Sequence, residues 1–295
     1  MTDAAAPLDL ETAQAPAPDP GSTPPEPPEQ GVRHPWGEPP PEGEATRIAE
    51  DVLWMRLPLP MRLDHVNVYA LRDDDGWTVV DTGFDSRWSR AVWQRLLDGP
   101  LAGAPVVRVL ATHQHPDHIG LAGWFVAQGA ELLTSRTAWL MARMLQLDVQ
   151  DRPTAEQLDF WRRAGMDAER LAARAAERPW NTADVVHPLP LGYRRVRDGD
   201  TLHLGRRDWQ VVVGNGHAAE HLTLWSEDDD LVIAGDQLLP GISPNLGVYA
   251  TEPGANPVTH VFTFSEPSFS AVPVFAWTSP PGTPSTSSSA MMNRR

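Results

Sequence analysis

Residues 110–120 read L-A-T-H-Q-H-P-D-H-I-G, an apolar strand tail that runs straight into His113, His115, Asp117 and His118. Imidazole nitrogen and carboxylate oxygen are the donors that Zn²⁺, Fe²⁺ and Mn²⁺ accept. His113 and His115 are two residues apart and can point the same way, while Asp117 and His118 turn toward a neighbouring point. One short loop could so serve two cations. The preceding run, PVVRVLATH, reads as a buried strand, so the loop is carried at a strand end.

Two more strand ends carry matching residue types. The strand WQVVVGNG runs into His217, in G-H217-A-A-E-H221, and LVIAG into Asp236, in A-G-D236-Q. A lone histidine or aspartate in such a place is most often structural. Beside the first loop, His217 and Asp236 read as ligands. The chain has no cysteine, so a thiolate site and disulfides are excluded and the donors must be His, Asp or Glu.

Outward from the histidines, the rest of the chain reads as mixed α/β. ATRIAEDVLWMRLPLP is a strand with its approach. HVNVYALRD and GWTVVDTG form a hairpin across Asp73-Asp74-Asp75-Gly76. SRWSRAVWQRLLDG is an amphipathic helix with Trp88, Val92, Leu96 and Leu97 on one side, Ser86 as cap and Gly99 as stop. IGLAGWFVAQG is a helix and ELLT a strand. Residues 135–178 are helical, punctuated by Pro153 and Gly165, with Met141, Met144 and Leu145 as ordinary packing. Strands return in YRRVRDGDTLHLG, DWQVVVGNG, HLTLWSEDD and LVIAGDQ. Such an order fits a two-sheet sandwich with outer helices better than one wound sheet.

The order H-x-H-x-D-H, then G-H-x-x-x-H, then G-D resembles the metallo-β-lactamase superfamily over roughly residues 47–260. The resemblance implies a four-layer αβ/βα sandwich with the site at one edge. It implies that His113, His115 and His217 hold one metal, that Asp117 and His118 serve a second, and that Asp236 bridges both. One or two Zn²⁺ are implied, with Fe²⁺ or Mn²⁺ as other occupants, and a metal-bound hydroxide as nucleophile, which Asp117 orients and whose proton it helps to move. Asp81 in V-V-D81-T-G matches a carboxylate that fixes the histidine loop; a turn residue bonding its own backbone is the other reading. His221 either lines the site or is packed structurally. His65 and Asn67 read as surface polar residues, and His34, His187 and His203, without motif context, as surface or structural ones.

The family's usual later histidine, in an S-H-G-like context, has no match. His260, in N-P-V-T-H260, reads instead as a helix start with Asn256 as cap and Pro257 first. From about Val261 to Arg295 the chain turns Ser/Thr/Pro-rich and loses both charge and period, which a frameshift near 261 would account for. The last strand and helix of the sandwich are then expected to be incomplete. Residues 1–44 are Pro/Ala/Glu-rich and read as a disordered tail, with Trp36 an idle aromatic and the domain itself spanning 45–260.

The expected activity is metal-dependent hydrolysis of an ester, thioester, lactone or phosphoester, glyoxalase-II-like hydrolysis being one member. The alternatives are a mononuclear iron oxygenase, similar to persulfide dioxygenases, through His113, His217 and Asp236, and an inactive truncated relative. A net charge of −15 disfavours nucleic acid as a partner, so a small-molecule substrate is expected. No apolar run is long enough for a membrane span and the N-terminus has no secretory pattern, so a cytoplasmic protein is expected. Oligomeric state is not readable.

Overall fold

Strands buried on both faces organise the molecule. In the computed structural model, which describes residues 35–226, 231–239 and 242–260 and the backbone of 274–275, β2 (Val52–Pro58) is buried along nearly its whole length. Side chains on a strand alternate between faces. Leu53, Met55 and Leu57 therefore enter one core and Val52 and Trp54 another. The next strand, β3 (His65–Arg72), divides the same way, with Val66, Val68 and Ala70 on one side and Tyr69 and Leu71 on the other.

These strands belong to a seven-stranded sheet ordered β1 to β7, with β1 at Thr46–Ala49, β4 at Trp77–Val80, β5 at Val106–Leu110, β6 at Glu131–Thr134 and β7 at Arg194–Arg195. Pairing is antiparallel from β1 to β4 and parallel from β4 to β7. The second sheet holds β8 (Thr201–Leu204), β9 (Arg207–Gly214), β10 (His221–Ser226), β11 (Leu231–Ile233) and β12 (Val274–Phe275), with β12 parallel to β11. The core between the sheets joins Trp54, Leu71 and Leu110 to Trp209, Leu222, Leu224 and Ile233. On the far face of the larger sheet lie α1 (Arg87–Asp98), α2 (Pro116–Ile119), α3 (Ala122–Val126) and α4 (Arg136–Leu147). Among the described residues, the helices with close sheet contacts, α1 and α3, make them with this sheet. The result is a mixed α/β sandwich of two sheets with helices, as expected.

Several local readings change. The run 45–58 is two strands, because the chain reverses at Glu50–Asp51 and Ala49 pairs with Val52. The helix read over 119–129 is realised as the short α3, with α2 ending where it was read to begin. Gly120 between them lies so close to Gly83 that a Cβ would meet its carbonyl oxygen at 2.4 Å. On α1 the buried face is Ser89, Val92, Trp93 and Leu96, while Trp88 is half exposed and donates to Glu42. Met144 on α4 is exposed, and Ala138 and Ala142 are the buried residues of that helix. The acidic hairpin has the expected place: Asp73 N–H donates to Gly76 O at 2.9 Å.

Helices α5 (Ala155–Arg163) and α6 (Ala168–Ala176) complete the helical stretch, and neither buries a residue. Trp36 packs against the core between the sheets rather than standing idle. A 3-10 turn opens at Pro257, as Asn256-Pro257 suggested. Most of residues 1–34 and 261–295, where the tails and the frameshift were inferred, lie outside the described residues. The pairing of Val274–Phe275 does place a short strand in a stretch read as having no strand period. Among the described residues, no helix is long and apolar enough to cross a membrane.

Candidate metal centre

The site is assembled at strand ends, beginning with Asp81 just after β4. This residue has a left-handed backbone, φ +63°, and is almost fully buried. Its Oδ1 accepts from Thr112 N at 2.8 Å, and Thr112 Oγ1 donates to Oδ2 at 2.9 Å. Oδ2 also accepts from His118 Nδ1 at 2.8 Å. One carboxylate thus fastens both ends of the loop that follows β5. Thr82 secures the same loop, its hydroxyl donating to His118 O at 2.8 Å and accepting from Leu121 N at 3.0 Å. Pro116, whose missing N–H costs nothing at a first helical position, starts α2 and places Asp117 and His118 on it.

Three imidazoles converge from two distant segments. His113 Nε2 lies 2.9 Å from His115 Nδ1, which lies 2.8 Å from His217 Nε2, and the triangle closes at 3.2 Å. The outer nitrogens decide the tautomers. His217 Nδ1 is 2.9 Å from Asn245 O, a pure acceptor, so Nδ1 carries the proton and Nε2 is bare. Thr112 Oγ1 gives its proton to Asp81 and accepts from His113 Nδ1 at 3.0 Å, so His113 Nε2 is bare as well. Burial is the first cause that keeps these rings neutral: His113 and His115 are pushed down further by neighbouring histidines, His115 to about 3, and His217 is shifted down although Asp236 pulls it up.

Beside this triangle, His118 Nε2 faces Asp236 Oδ1 at 3.4 Å and Asp117 Oδ2 at 3.6 Å. Because Nδ1 donates to Asp81, a neutral His118 directs a bare Nε2 at these oxygens. That atom is buried and has no hydrogen-bond partner. The other oxygen of Asp236 lies 3.4 Å from His217 Nε2, so one carboxylate touches both histidine groups. Burial opposes charge on His118, yet Asp236, Asp81 and Asp117 together raise its pKa well above the ordinary value. Asp117 is shifted up, first by burial. For Asp236 burial works upward, but His118 and His217 outweigh it and hold the group down.

His221 lies behind the triangle. It is fully buried, stacks on His113 with centroids 4.5 Å apart, and its Nε2 accepts from Asp236 N at 3.1 Å. The approach is possible because Gly235 adopts φ +49° and has no side chain; a Cβ there would lie 2.6 Å from the His221 ring.

The structure brings together all eight residues singled out from the sequence: His113, His115, Asp117, His118, His217 and Asp236 at the centre, Asp81 and His221 against it. Two subsets offer donor atoms all within 4.8 Å of one another, namely His113/His115/His217 and His113/His118/Asp236. The donors fit a divalent cation. The three facing nitrogens, two of them bare, meet at 2.8–3.2 Å, near the ~3.3 Å edge of a tetrahedral zinc site with Zn–N of ~2.0–2.1 Å. The orphaned His118 Nε2 among carboxylates fits a second one.

His65 departs from its surface reading. It is buried, hydrogen-bonded to Asp64, and lines a cleft with Asp117, His118 and Asp236. Thr112 and Asn245, which set the histidine tautomers, were not singled out. Thr112 had a signal in its place directly before His113, whereas Asn245 acts through a backbone carbonyl that any residue carries. The side chain of His260 lies outside what the structure describes.

Residues 61–266 match a family described as the metallo-beta-lactamase superfamily. A Bacillus subtilis protein named "Probable metallo-hydrolase YqjP" is 26% identical over 199 residues, 66% of this chain and 60% of that protein. Among solved structures, a beta-lactamase domain protein from Burkholderia ambifaria is 36% identical with a TM-score of 0.66, covering 76% of this chain and 66% of that one. A metallo-beta-lactamase family protein from Thermus thermophilus is 27% identical with a TM-score of 0.60, covering 73% and 68%. The chain thus spans less than two thirds of the first two relatives.

Proposed function

This chain belongs to the metallo-β-lactamase superfamily, and from that premise we propose that it is a metal-dependent hydrolase of a small ester, thioester, lactone or phosphoester. The observation that carries the reading is the convergence of His113, His115 and His217, with two of the three facing nitrogens bared by hydrogen bonds on the opposite side of the ring. His113, His115 and His217 would hold one divalent cation, and His118, Asp117 and Asp236 a second, Zn²⁺ being the ion that tetrahedral nitrogen donors suit best. Such a cation supplies Lewis acidity, polarising the oxygen under attack and lowering the pKa of water toward ~7.

The chain's own residues do the rest. Asp117 lines the cleft, and its raised pKa suits it to take a proton from the attacking water and return it to the leaving group. Asp236 stays ionised, its backbone held by His221. Asp81 and Thr112 keep the histidine rings in the ligating tautomer. A net charge of −15 favours a small substrate over a phosphate polymer. A cytoplasmic location belongs to the same proposal.

Metal analysis of the purified protein, followed by an ester, thioester, lactone and phosphoester panel with added zinc, tests the reading. Chelator-sensitive turnover is expected, and His217→Ala should lose both metal and turnover. One tightly held iron with oxygen uptake would replace this reading by an oxygenase through His113, His217 and Asp236. Bound metal with no turnover on any class would leave an inactive relative.

A further inference from the structure

The cleft that leads to Asp117, His118 and Asp236 carries information about what enters it. It encloses about 50 Å³ and opens to solvent. Its walls come from three parts of the chain: Leu63 and Val66, Val232, and Leu239 with Ile242. Among the described lining residues there is no arginine, and His118 is the residue the second cation would claim. The chain contains no lysine at all, so arginine is its only side chain with a permanent positive charge. Two arginines are near: Arg62, exposed beside Leu63, and Arg56, which lines an adjoining cavity of about 260 Å³ and faces Asp64 at 3.6 Å; neither lines the cleft.

The polar groups of the cleft point the same way. Asp117 and Asp236 are acidic. Asn67 supplies a neutral donor: its Oδ1 accepts from Trp54 Nε1 at 2.8 Å, which leaves the amide N–H groups for another acceptor. Phosphate and carboxylate are ordinarily bound by guanidinium or ammonium groups. A phosphoester here would meet carboxylates and aliphatic walls, with only the bound cations to balance it. An acyl carbonyl needs no such clamp, and an aliphatic chain gains from removing Leu239, Ile242 and Val232 from water.

Resting on the hydrolase reading above, we propose that the substrate is an uncharged ester, thioester or lactone with an aliphatic acyl chain, and that phosphoesters are excluded by the cleft. The acyl chain lies along Val232, Leu239 and Ile242. Hydrolysis adds water across the acyl–heteroatom bond, the carboxyl group keeping the water oxygen and the leaving alcohol or thiol taking a proton.

The test compares substrates that share a leaving group. With the zinc-loaded full chain, kcat/KM for p-nitrophenyl hexanoate should exceed that for the acetate by ~10-fold, well within the ~4-fold per methylene that full burial would give. Bis(p-nitrophenyl) phosphate should be at least ~100-fold poorer than the hexanoate. Ile242 is 42% exposed, so Ile242→Arg is tolerable to the fold. It should lower the hexanoate-to-phosphodiester ratio, a quantity independent of how much of the sample is active. A phosphodiester turned over as well as the hexanoate overturns the proposal while leaving the hydrolase reading intact. Binding separates the remaining cases. By saturation-transfer NMR, hexanamide should bind and hexyl phosphate should not. Hexanamide bound without any ester turned over would sink the hydrolase reading yet uphold the cleft's preference. Hexyl phosphate bound more tightly than hexanamide would sink the preference itself.

Discussion

Asp81 joins a strained backbone to three hydrogen bonds on one carboxylate. The left-handed region costs an ordinary L-residue about 1–2 kcal/mol, and asparagine and aspartate visit it most readily. Asp81→Asn therefore keeps the backbone but replaces one acceptor oxygen by a donor, setting N–H against Thr112 or against His118 Nδ1–H. With the His118 tautomer no longer imposed, the cation held by His118, Asp117 and Asp236 should be lost first. Metal content measured after dialysis should fall toward one ion per chain, and kcat/KM should drop about 10–100-fold. Asp81→Ala should do the same and also lower Tm further, because alanine bears the strain without the hydrogen bonds. Equal metal content in wild type and Asp81→Asn would show that Asp81 is a turn residue and nothing more.

Helix α2 is only four residues long, yet it presents Asp117 and His118. Its seating depends on Gly120, where an added Cβ would press on the Gly83 carbonyl oxygen and on Phe84 Cα at 2.9 Å. Backbone cannot swing aside as a flexible side chain can. Gly120→Ala should therefore push α2 off the end of β4, destabilise the fold by about 1–3 kcal/mol and weaken metal retention together. Thermal melts with and without added zinc would register both effects; an unchanged Tm would mean that the contact relaxes freely. The same elements show what could be read beforehand. The loop histidines, His217 and Asp236 were legible because three donor-rich motifs each follow a strand, an arrangement that packing alone has no reason to produce. The face of α1 was misjudged because Trp88 and Trp93 both lie near an apolar stripe, and only the packing of Trp93 against Phe125 and the pull of Glu42 on Trp88 separate them. His65 escaped notice for a similar reason: a histidine at a strand start looks polar and exposed until the cleft it lines exists.

At the scale of the whole molecule, the histidine cluster links stability to both pH and metal. In the metal-free protein His113, His115, His217 and His221 all have pKa values depressed first by burial and further by His118, His115 to about 3. Unfolding frees these rings to take up protons below ~6.5, the ordinary histidine value. Their contribution is thus present above ~6.5 and is lost as pH falls toward the folded values. His118 runs the other way: its raised pKa adds stability below ~6.5 that disappears only as pH rises through the raised value. Four rings against one give the expected sign, so Tm of the metal-free protein should fall as pH is lowered from 7 toward 4. Zinc adds to stability as RT ln(1 + [L]/Kd), about 2.7 kcal/mol at a hundredfold excess over Kd, and protons compete with it for the same nitrogens. The gap in Tm between zinc-loaded and metal-free protein should therefore be largest near neutral pH and close on acidification. The two cation sites should also differ in protons released. Filling His113/His115/His217 displaces none at pH 7, because those rings are already neutral, whereas filling the site at His118 displaces about one. Zinc titration calorimetry at pH 7 in buffers of different ionisation enthalpy reads that number directly. Proton release in the tighter binding step would place the first cation at His118, and release in the weaker step would place it among His113, His115 and His217.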